Sequence, residues 1–272
     1  MVLTLGNDEI ARDLAAIALA AAQPVLHHYA LASPARLKSD ASPVTAADEE
    51  AEAVILEQLA QRFPGVPVIA EELASRNGLP SDMPREAFFV DPLDGTREFL
   101  ARNGEFTINI ALVRDGVPVA GVVHAPALGR IFWGGARAFM RHVPPGMKEL
   151  GTGTPIHTRK AFAPLGLLES RSHFSEADKC AMAQLGPIAP RAVGSSLKFA
   201  LIAAGEADVC LRIGPTMEWD TAAGDALLRA AGGLTFTAAG APLTYGKLAD
   251  GLKNQSYVAW GEPARAAAIR LS

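Results

Sequence analysis

The sharpest chemical signal in this chain is the hexapeptide Asp91-Pro92-Leu93-Asp94-Gly95-Thr96. The apolar run Ala87 to Val90 predicts a strand that delivers Asp91 to its end, and Pro92 lacks the N–H that a sheet ladder needs. Asp94-Gly95 has turn chemistry, and Thr96 to Ala101 can open a helix. Two carboxylates three residues apart at such a strand-to-helix turn converge on one point. The turn also offers free backbone N–H groups and a helix N-terminus, which attract phosphate. Carboxylates together with phosphate oxygens are the usual donors for hard cations such as Mg²⁺. Asp-Gly alone reads equally well as a solvated turn, so the weight rests on the whole hexapeptide behind a strand.

Two other segments supply acids. Glu71-Glu72 follows the apolar stretch Val66 to Ala70, although alone it also reads as the first turn of a surface helix. In Glu218-Trp219-Asp220-Thr221-Ala222-Ala223-Gly224, Asp220 falls where a helix N-cap belongs, and in isolation it reads as a simple cap.

These acids need elements to hold them. Ile10, Leu14, Ile17, Ala18, Ala21 and Val25 share one helical face, predicting a first helix that ends near Pro24 or just beyond. A second helix is expected over 46–62. Thr45 and Asp48 stand in capping-box spacing at its start, with Asp in place of Glu, and Pro64-Gly65 stops it. A mobile loop is expected over 73–86. Phe106 to Val113 alternates as a strand, Asp115-Gly116 signals a hairpin, Val117 to His124 returns, and 130–134 continues the sheet.

Residues 144–155 are rich in Gly and Pro and mark a boundary, giving an N-terminal half (1–143) with a mixed or antiparallel sheet and a C-terminal half (144–272). In the second half, strands near 167–168, 188–193, 207–213 and 256–260 alternate with helices over 175–185, 195–205, 220–231 and 262–271. The expected fold class is α/β (α+β), a layered αβαβα sandwich with a cleft between its halves.

Bulk properties narrow the partners. The 272 residues are 49% hydrophobic and 20% charged, with a net charge of −4, so nothing suggests a nucleic-acid groove or a basic membrane patch. Cys180 and Cys210 show no metal or disulfide spacing, which fits a reducing compartment. Acids precede the Ala-rich stretch 15–22, unlike a signal peptide, and no uninterrupted apolar run approaches the ~20 residues of a spanning segment. The cytoplasm is the expected location, with loose association at a membrane surface left open. No Cys/His ligand spacing, no G-x-S-x-G elbow, no P-loop and no G-x-G-x-x-G occurs, which argues against zinc, serine-hydrolase, kinase and dinucleotide chemistry.

Taken together, the hexapeptide, Glu71-Glu72 and the Trp219-to-Gly224 segment resemble the three signature blocks of the inositol monophosphatase superfamily, which comprises magnesium-dependent sugar and nucleotide phosphatases. The resemblance spans roughly residues 10 to 262. Within that superfamily, Lys38 to Thr45 with Asp48, Asn103 to Leu112, Gly194-Ser195-Ser196-Leu197-Lys198 and Gly214 to Asp220 resemble the 3'(2'),5'-bisphosphate nucleotidase branch. The resemblance implies that Glu71, Asp91, Asp94, Asp220 and the carbonyl of Leu93 hold two or three Mg²⁺ ions. It further implies that Glu71 and Thr96 orient and deprotonate water, supported by Asp48 and Thr45. Gly95 and Thr96 N–H groups would hold phosphate oxygens, and Asp220 would also contact the substrate. Ser195, Ser196 and Lys198 would contact the remainder, and Lys38 would steer the anion.

Ser195, Ser196 and Lys198 read equally as a helix cap and a solvated face, and Lys38 as a solvated surface residue. Arg212 stands where inositol phosphatases use an acid to hold sugar hydroxyls. A cation there suits a second phosphate, although it also reads as a surface residue paired with an acid. The expected activity is removal of the 3'-phosphate of adenosine 3',5'-bisphosphate, a small soluble phosphate ester. The rival readings are an inositol or sugar monophosphate phosphatase and a non-catalytic phospholigand sensor. Members of the family often form dimers, so a homodimer is compatible with the resemblance.

Overall fold

The computed structural model describes residues 5–32, 35–37, 43–172 and 175–268. Lys38 and the segment 38–42 lie outside the described residues. Helix α1 (Asn7–Leu31) starts behind Gly6, whose N–H donates to Glu9 Oε2 at 3.0 Å. It does not stop near Pro24 but runs on through that residue. The missing N–H costs one helical hydrogen bond. Burial of Val25 and packing of the Tyr29 ring against Phe99 and Phe106, at centroid distances of 5.3 and 4.9 Å, hold the last turns in place.

Strand β1 (Arg36–Leu37) pairs with β2 (Pro43–Val44), and helix α2 (Ala46–Arg62) occupies its expected span behind Thr45. Strand β3 (Val68–Ala70) passes directly into helix α3 (Glu71–Asn77), so the first part of the expected 73–86 loop is helical. Strand β4 (Glu86–Asp94) also exceeds its expected length, because pairing resumes beyond Pro92. Asp91 opposes Asn109 and Asp94 opposes Thr107, with a register shift between them. The bulge absorbs the proline.

Helix α4 (Thr96–Leu100), β5 (Thr107–Arg114) and β6 (Val117–Ala125) follow. Asp115 (φ 48°) and Gly116 (φ 77°) make the hairpin with two left-handed residues. Strands β7 (Arg130–Gly134), β8 (Ala138–His142) and β9 (Thr154–Ile156) complete a seven-stranded sheet of order β3-β4-β5-β6-β7-β8-β9, parallel only at β3/β4.

The remaining chain is β10 (Leu165–Ser170), α5 (Glu176–Met182), β11 (Ile188–Val193), α6 (Leu197–Ala203), β12 (Val209–Arg212), β13 (Thr216–Met217), α7 (Glu218–Ala230), β14 (Leu234–Thr237), β15 (Lys253–Asn254) and β16 (Tyr257–Trp260). Five of these strands form a mixed sheet of order β11-β10-β12-β16-β14. The expected closing helix is a 3-10 segment over Pro263–Ala268.

Alternation along the strands explains the layering. Phe88, Val90, Ile108, Ile110 and Leu112 face a core shared with α1 and α2. Ala87, Phe89, Ala111 and Val113 face a second core, shared with α6 and α7 and with Leu168, Cys210 and Ala259 of the five-stranded sheet. That sheet turns Leu167, Val209, Leu211 and Trp260 toward α5. The order of layers is helix, sheet, helix, sheet, helix, the expected αβαβα sandwich.

Helix α7 lies very close to the large sheet. A Cβ at Gly121 would stand 2.8 Å from Ala223 O, and one at Gly134 would stand 2.7 Å from Ala230 Cβ. Among the described residues, α1 is the one helix long and apolar enough to cross a membrane. Its residues Ile10, Leu14, Ile17, Ala18 and Val25 lie in the first core.

Candidate active site

Three acids from distant parts of the sequence meet at the ends of these elements. Glu71 opens α3, Asp91 stands at the bulge of β4, and Asp220 lies in the first turn of α7. One carboxylate oxygen from each lies within 4.8 Å of the others. Local bonds fix them. Asp91 Oδ1 accepts the Leu93 N–H at 3.0 Å, which folds the chain over Pro92. Asp220 is not the N-cap residue of α7. It is the third residue of the helix, and its Oδ2 reaches back to accept the Met217 N–H at 3.0 Å and the Thr216 hydroxyl at 2.5 Å.

Asp94 faces the same space. Its Oδ2 accepts the Ser196 N–H at 2.5 Å and Asn109 Nδ2 at 3.4 Å.

The electrostatics of this cluster are unfavourable without a cation. Burial, reinforced by Glu71, Asp94 and Asp220, pushes the Asp91 carboxyl well above its ordinary range. Burial, with Asp94 and Glu71, pushes Asp220 up to about 8. Burial also raises Asp94. Acids that resist ionisation together, each presenting an oxygen to one small volume, form a donor set suited to a hard divalent cation. The residues present therefore fit the metal that the resemblance implies.

A cleft of about 400 Å³ opens over the cluster. Glu71, Asp91, Leu93, Asp94, Gly95, Thr96 and Asp220 line it on the acidic side, and Ser195, Ser196, Lys198 and Arg212 line the rest. Gly95 caps α4 at φ 90°, and a Cβ there would press on Glu98 Oε2 at 3.2 Å and Ser195 Cβ at 3.3 Å. Thr96 Oγ1 donates to the Leu93 carbonyl at 3.4 Å. Ser195 adopts φ 52°, and its carbonyl accepts the buried Lys198 Nζ at 2.6 Å. Burial lowers the Lys198 ammonium below its ordinary range. The Ser196 hydroxyl is engaged with Thr107 at 2.8 Å and Asn109 Oδ1 at 2.7 Å. Arg212 Nε is buried without a hydrogen-bond partner among the described residues.

Thr45 and Asp48 are buried at the start of α2 and are not lining residues of the cleft. The Thr45 N–H and hydroxyl both donate to Asp48 Oδ2 at 2.7 Å. Burial, with Glu71 and Glu72 nearby, raises Asp48 to about 7.

Other residues contribute to the site without having stood out in the sequence. Arg97, Lys253 and Tyr257 line the cleft, and nothing in their spacing signals it. Glu52 is buried on α2, where it accepts the N–H of Glu72 at 2.8 Å. Its signal was available, since it is an acid on the apolar stripe Ala47, Ala51, Ile55 and Leu59.

Comparison with known proteins follows this geometry. The family model described as the inositol monophosphatase family matches residues 7–267. A protein of Salmonella typhimurium named 3'(2'),5'-bisphosphate nucleotidase CysQ is 45% identical over 195 residues, covering 72% of this chain and 76% of that protein. The protein of the same name from Escherichia coli is 43% identical over 208 residues, covering 76% and 81% respectively. The crystal structure of CysQ from Bacteroides thetaiotaomicron, described as a bacterial member of the inositol monophosphatase family, superimposes with a TM-score of 0.75 at 34% identity, covering 93% of this chain and 97% of that one. An inositol monophosphatase structure from Anabaena superimposes at 0.73 with 25% identity, covering 96% and 94%. With its three acids gathered under one cleft and its sequence matched from α1 to the final 3-10 segment, this chain belongs to the inositol monophosphatase family.

Proposed function

We propose that this chain is a Mg²⁺-dependent phosphatase that removes the 3'-phosphate of adenosine 3',5'-bisphosphate, giving AMP and inorganic phosphate. The observation that carries this reading is the approach of Glu71, Asp91 and Asp220 oxygens to within 4.8 Å at the floor of the cleft. The relatives named as nucleotidases, at 45% and 43% identity, support the choice of substrate.

Glu71, Asp91, Asp94, Asp220 and the Leu93 carbonyl would hold the metal, as two or three Mg²⁺ ions. When bound, Mg²⁺ neutralises the acids, polarises the phosphoryl group and stabilises the leaving oxygen. The chain's own residues do the rest. The Gly95 and Thr96 N–H groups, at the entry to α4, hold phosphate oxygens. The Thr96 hydroxyl and the Glu71 carboxylate orient a water for in-line attack, and Glu71 takes its proton. Asp48, tied to Thr45, stands behind Glu71 and shapes its field.

Asp220 also contacts the substrate. Ser195, Ser196, Lys198 and Arg212 form the wall for the remaining nucleotide, with Lys38 steering the anion. Arg212 offers a buried Nε with no hydrogen-bond partner among the described residues, and Lys198, whose ammonium is lowered by burial and to a lesser degree by the Arg212 charge, lines the same cleft. Two cations side by side suit the second phosphate of a bisphosphate. The working protein is assigned to the cytoplasm, with 1–143 and 144–272 as its two halves, and a homodimer is compatible with the family.

Parallel assays of phosphate release, with and without Mg²⁺, test the reading. Adenosine 3',5'-bisphosphate is expected to turn over much faster than inositol 1-phosphate. The reverse order would move the assignment to a sugar monophosphate phosphatase, and binding without release would make the protein a sensor.

A further inference from the structure

Glu52 is 1% exposed on α2, one turn beyond Asp48. Its carboxylate reaches away from its own helix. Oε2 accepts the N–H of Glu72 at 2.8 Å and of Leu73 at 3.2 Å, and Oε1 accepts Arg76 Nη2 at 2.7 Å. All three donors belong to α3, the helix that Glu71 opens. The N-cap position of α3 is Ala70, which has no side-chain acceptor. The exposed N–H groups at the start of a helix need acceptors, and here another helix supplies one.

We infer that Glu52 is a positioning residue that holds Glu71 in register with Asp91 and Asp220. The peptide N–H it grips belongs to Glu72, so the bond fixes the plane immediately after the Glu71 Cα. A second bond one residue on fixes the next peptide plane, so the two N–H bonds together orient the first turn of α3, while Arg76 balances the charge of Glu52 one turn further. The charge balance points the same way. Burial of this carboxylate is costly and lifts it above its ordinary range, offset in part by the two N–H bonds and by Arg76. An apolar residue would fill this place on the stripe of α2 without that cost. What the acid supplies is oriented acceptors at the first turn of α3. Outer partners of metal ligands typically account for about 10–100-fold in metal affinity.

This inference rests on Glu71 being a metal ligand, and the test separates the two claims. Mg²⁺ binding to the full-length protein is measured by titration calorimetry, alongside Tm, for Glu52→Ala, Glu52→Asp, Arg76→Met and Glu71→Gln. Glu52→Ala is expected to weaken Mg²⁺ by about 10-fold or more, with kcat largely recovered at saturating Mg²⁺. Glu52→Asp keeps the charge but shortens the reach, so it is expected to weaken Mg²⁺ as well. It carries the test if Glu52→Ala does not fold. Arg76→Met is expected to lower Tm while leaving Mg²⁺ affinity within about twofold, because both N–H bonds to Glu52 remain. If both Glu52 variants bind Mg²⁺ as the parent does and only Tm falls, Glu52 is a structural cap and the inference is overturned. If Glu71→Gln binds Mg²⁺ as the parent does, the ligand assignment itself fails.

Discussion

The N–H of Ser196 donates to Asp94 Oδ2 at 2.5 Å, a bond between residues 102 positions apart. The Ser196 hydroxyl continues the chain to Thr107 and Asn109 on β5, the strand beside the one that carries Asp94. The entry to α6 is thereby tied to an acid of the cluster. In Ser196→Ala the N–H bond survives, but two buried polar side chains lose a partner. Stability is expected to fall by about 1–3 kcal/mol, measured by denaturant unfolding. No change would mean that water replaces the hydroxyl.

Asp91 is the most hemmed-in acid of the cluster. Asp91→Asn removes one charge from a volume it shares with Glu71, Asp94 and Asp220. Mg²⁺ affinity and turnover are expected to collapse while the metal-free protein stays folded and melts no lower than the parent. Calorimetry with a circular-dichroism melt checks both halves, and near-normal activity would refute the ligand role.

The raised acids also set a pH dependence. Burial and neighbouring carboxylates hold Asp220 near 8 and Asp48 near 7 in the folded, metal-free protein, against 3.8 for the free side chain. Between about pH 4 and pH 8 the folded state keeps protons that the unfolded chain has released, so stability falls as pH rises through this window. Below it the contribution is fully present, and above it the contribution is lost. The Tm of chelator-treated protein is expected to drop from about pH 5.5 to about pH 8.5. Mg²⁺ held by Asp220 displaces the proton of that acid, so it should raise Tm more at the upper end. A flat profile would mean that the acids ionise without penalty.

Arg212 provides a test of selectivity. Arg212→Ala is expected to raise KM for adenosine 3',5'-bisphosphate by about 10-fold or more, the scale of a lost charge-assisted bond. Turnover of a sugar monophosphate should change far less. Equal losses on both substrates would place Arg212 outside any second-phosphate contact.

Much of this architecture was legible in the sequence where the cause is local. Helix α2 carries its own cap at Thr45 and its own stop at Pro64-Gly65, and strands β7 and β11 occupy the spans expected of them. The acids of the cleft were legible because their blocks are distinctive. What stayed hidden has its cause elsewhere in the chain. Helix α1 passes Pro24 because Val25 and Tyr29 find partners far along the sequence. Helix α3 forms where a loop was expected because Glu52 caps it from another helix. Strand β4 pairs beyond Pro92 because a bulge takes up the residue that cannot donate. Lys253 reaches the cleft through the short pairing of β15 with β13, which no local pattern announces.

Strand β16 lies between β12 and β14 although it is the last strand of the chain. During synthesis the sheet behind the cleft therefore has a gap until the C-terminal stretch clears the ribosome. Arg212 on β12 has no strand partner on that side until Tyr257 is in place. Without β16, β12 would keep one open edge and β14 would have no strand partner in the sheet, so the wall that carries Arg212 is completed only when this strand arrives.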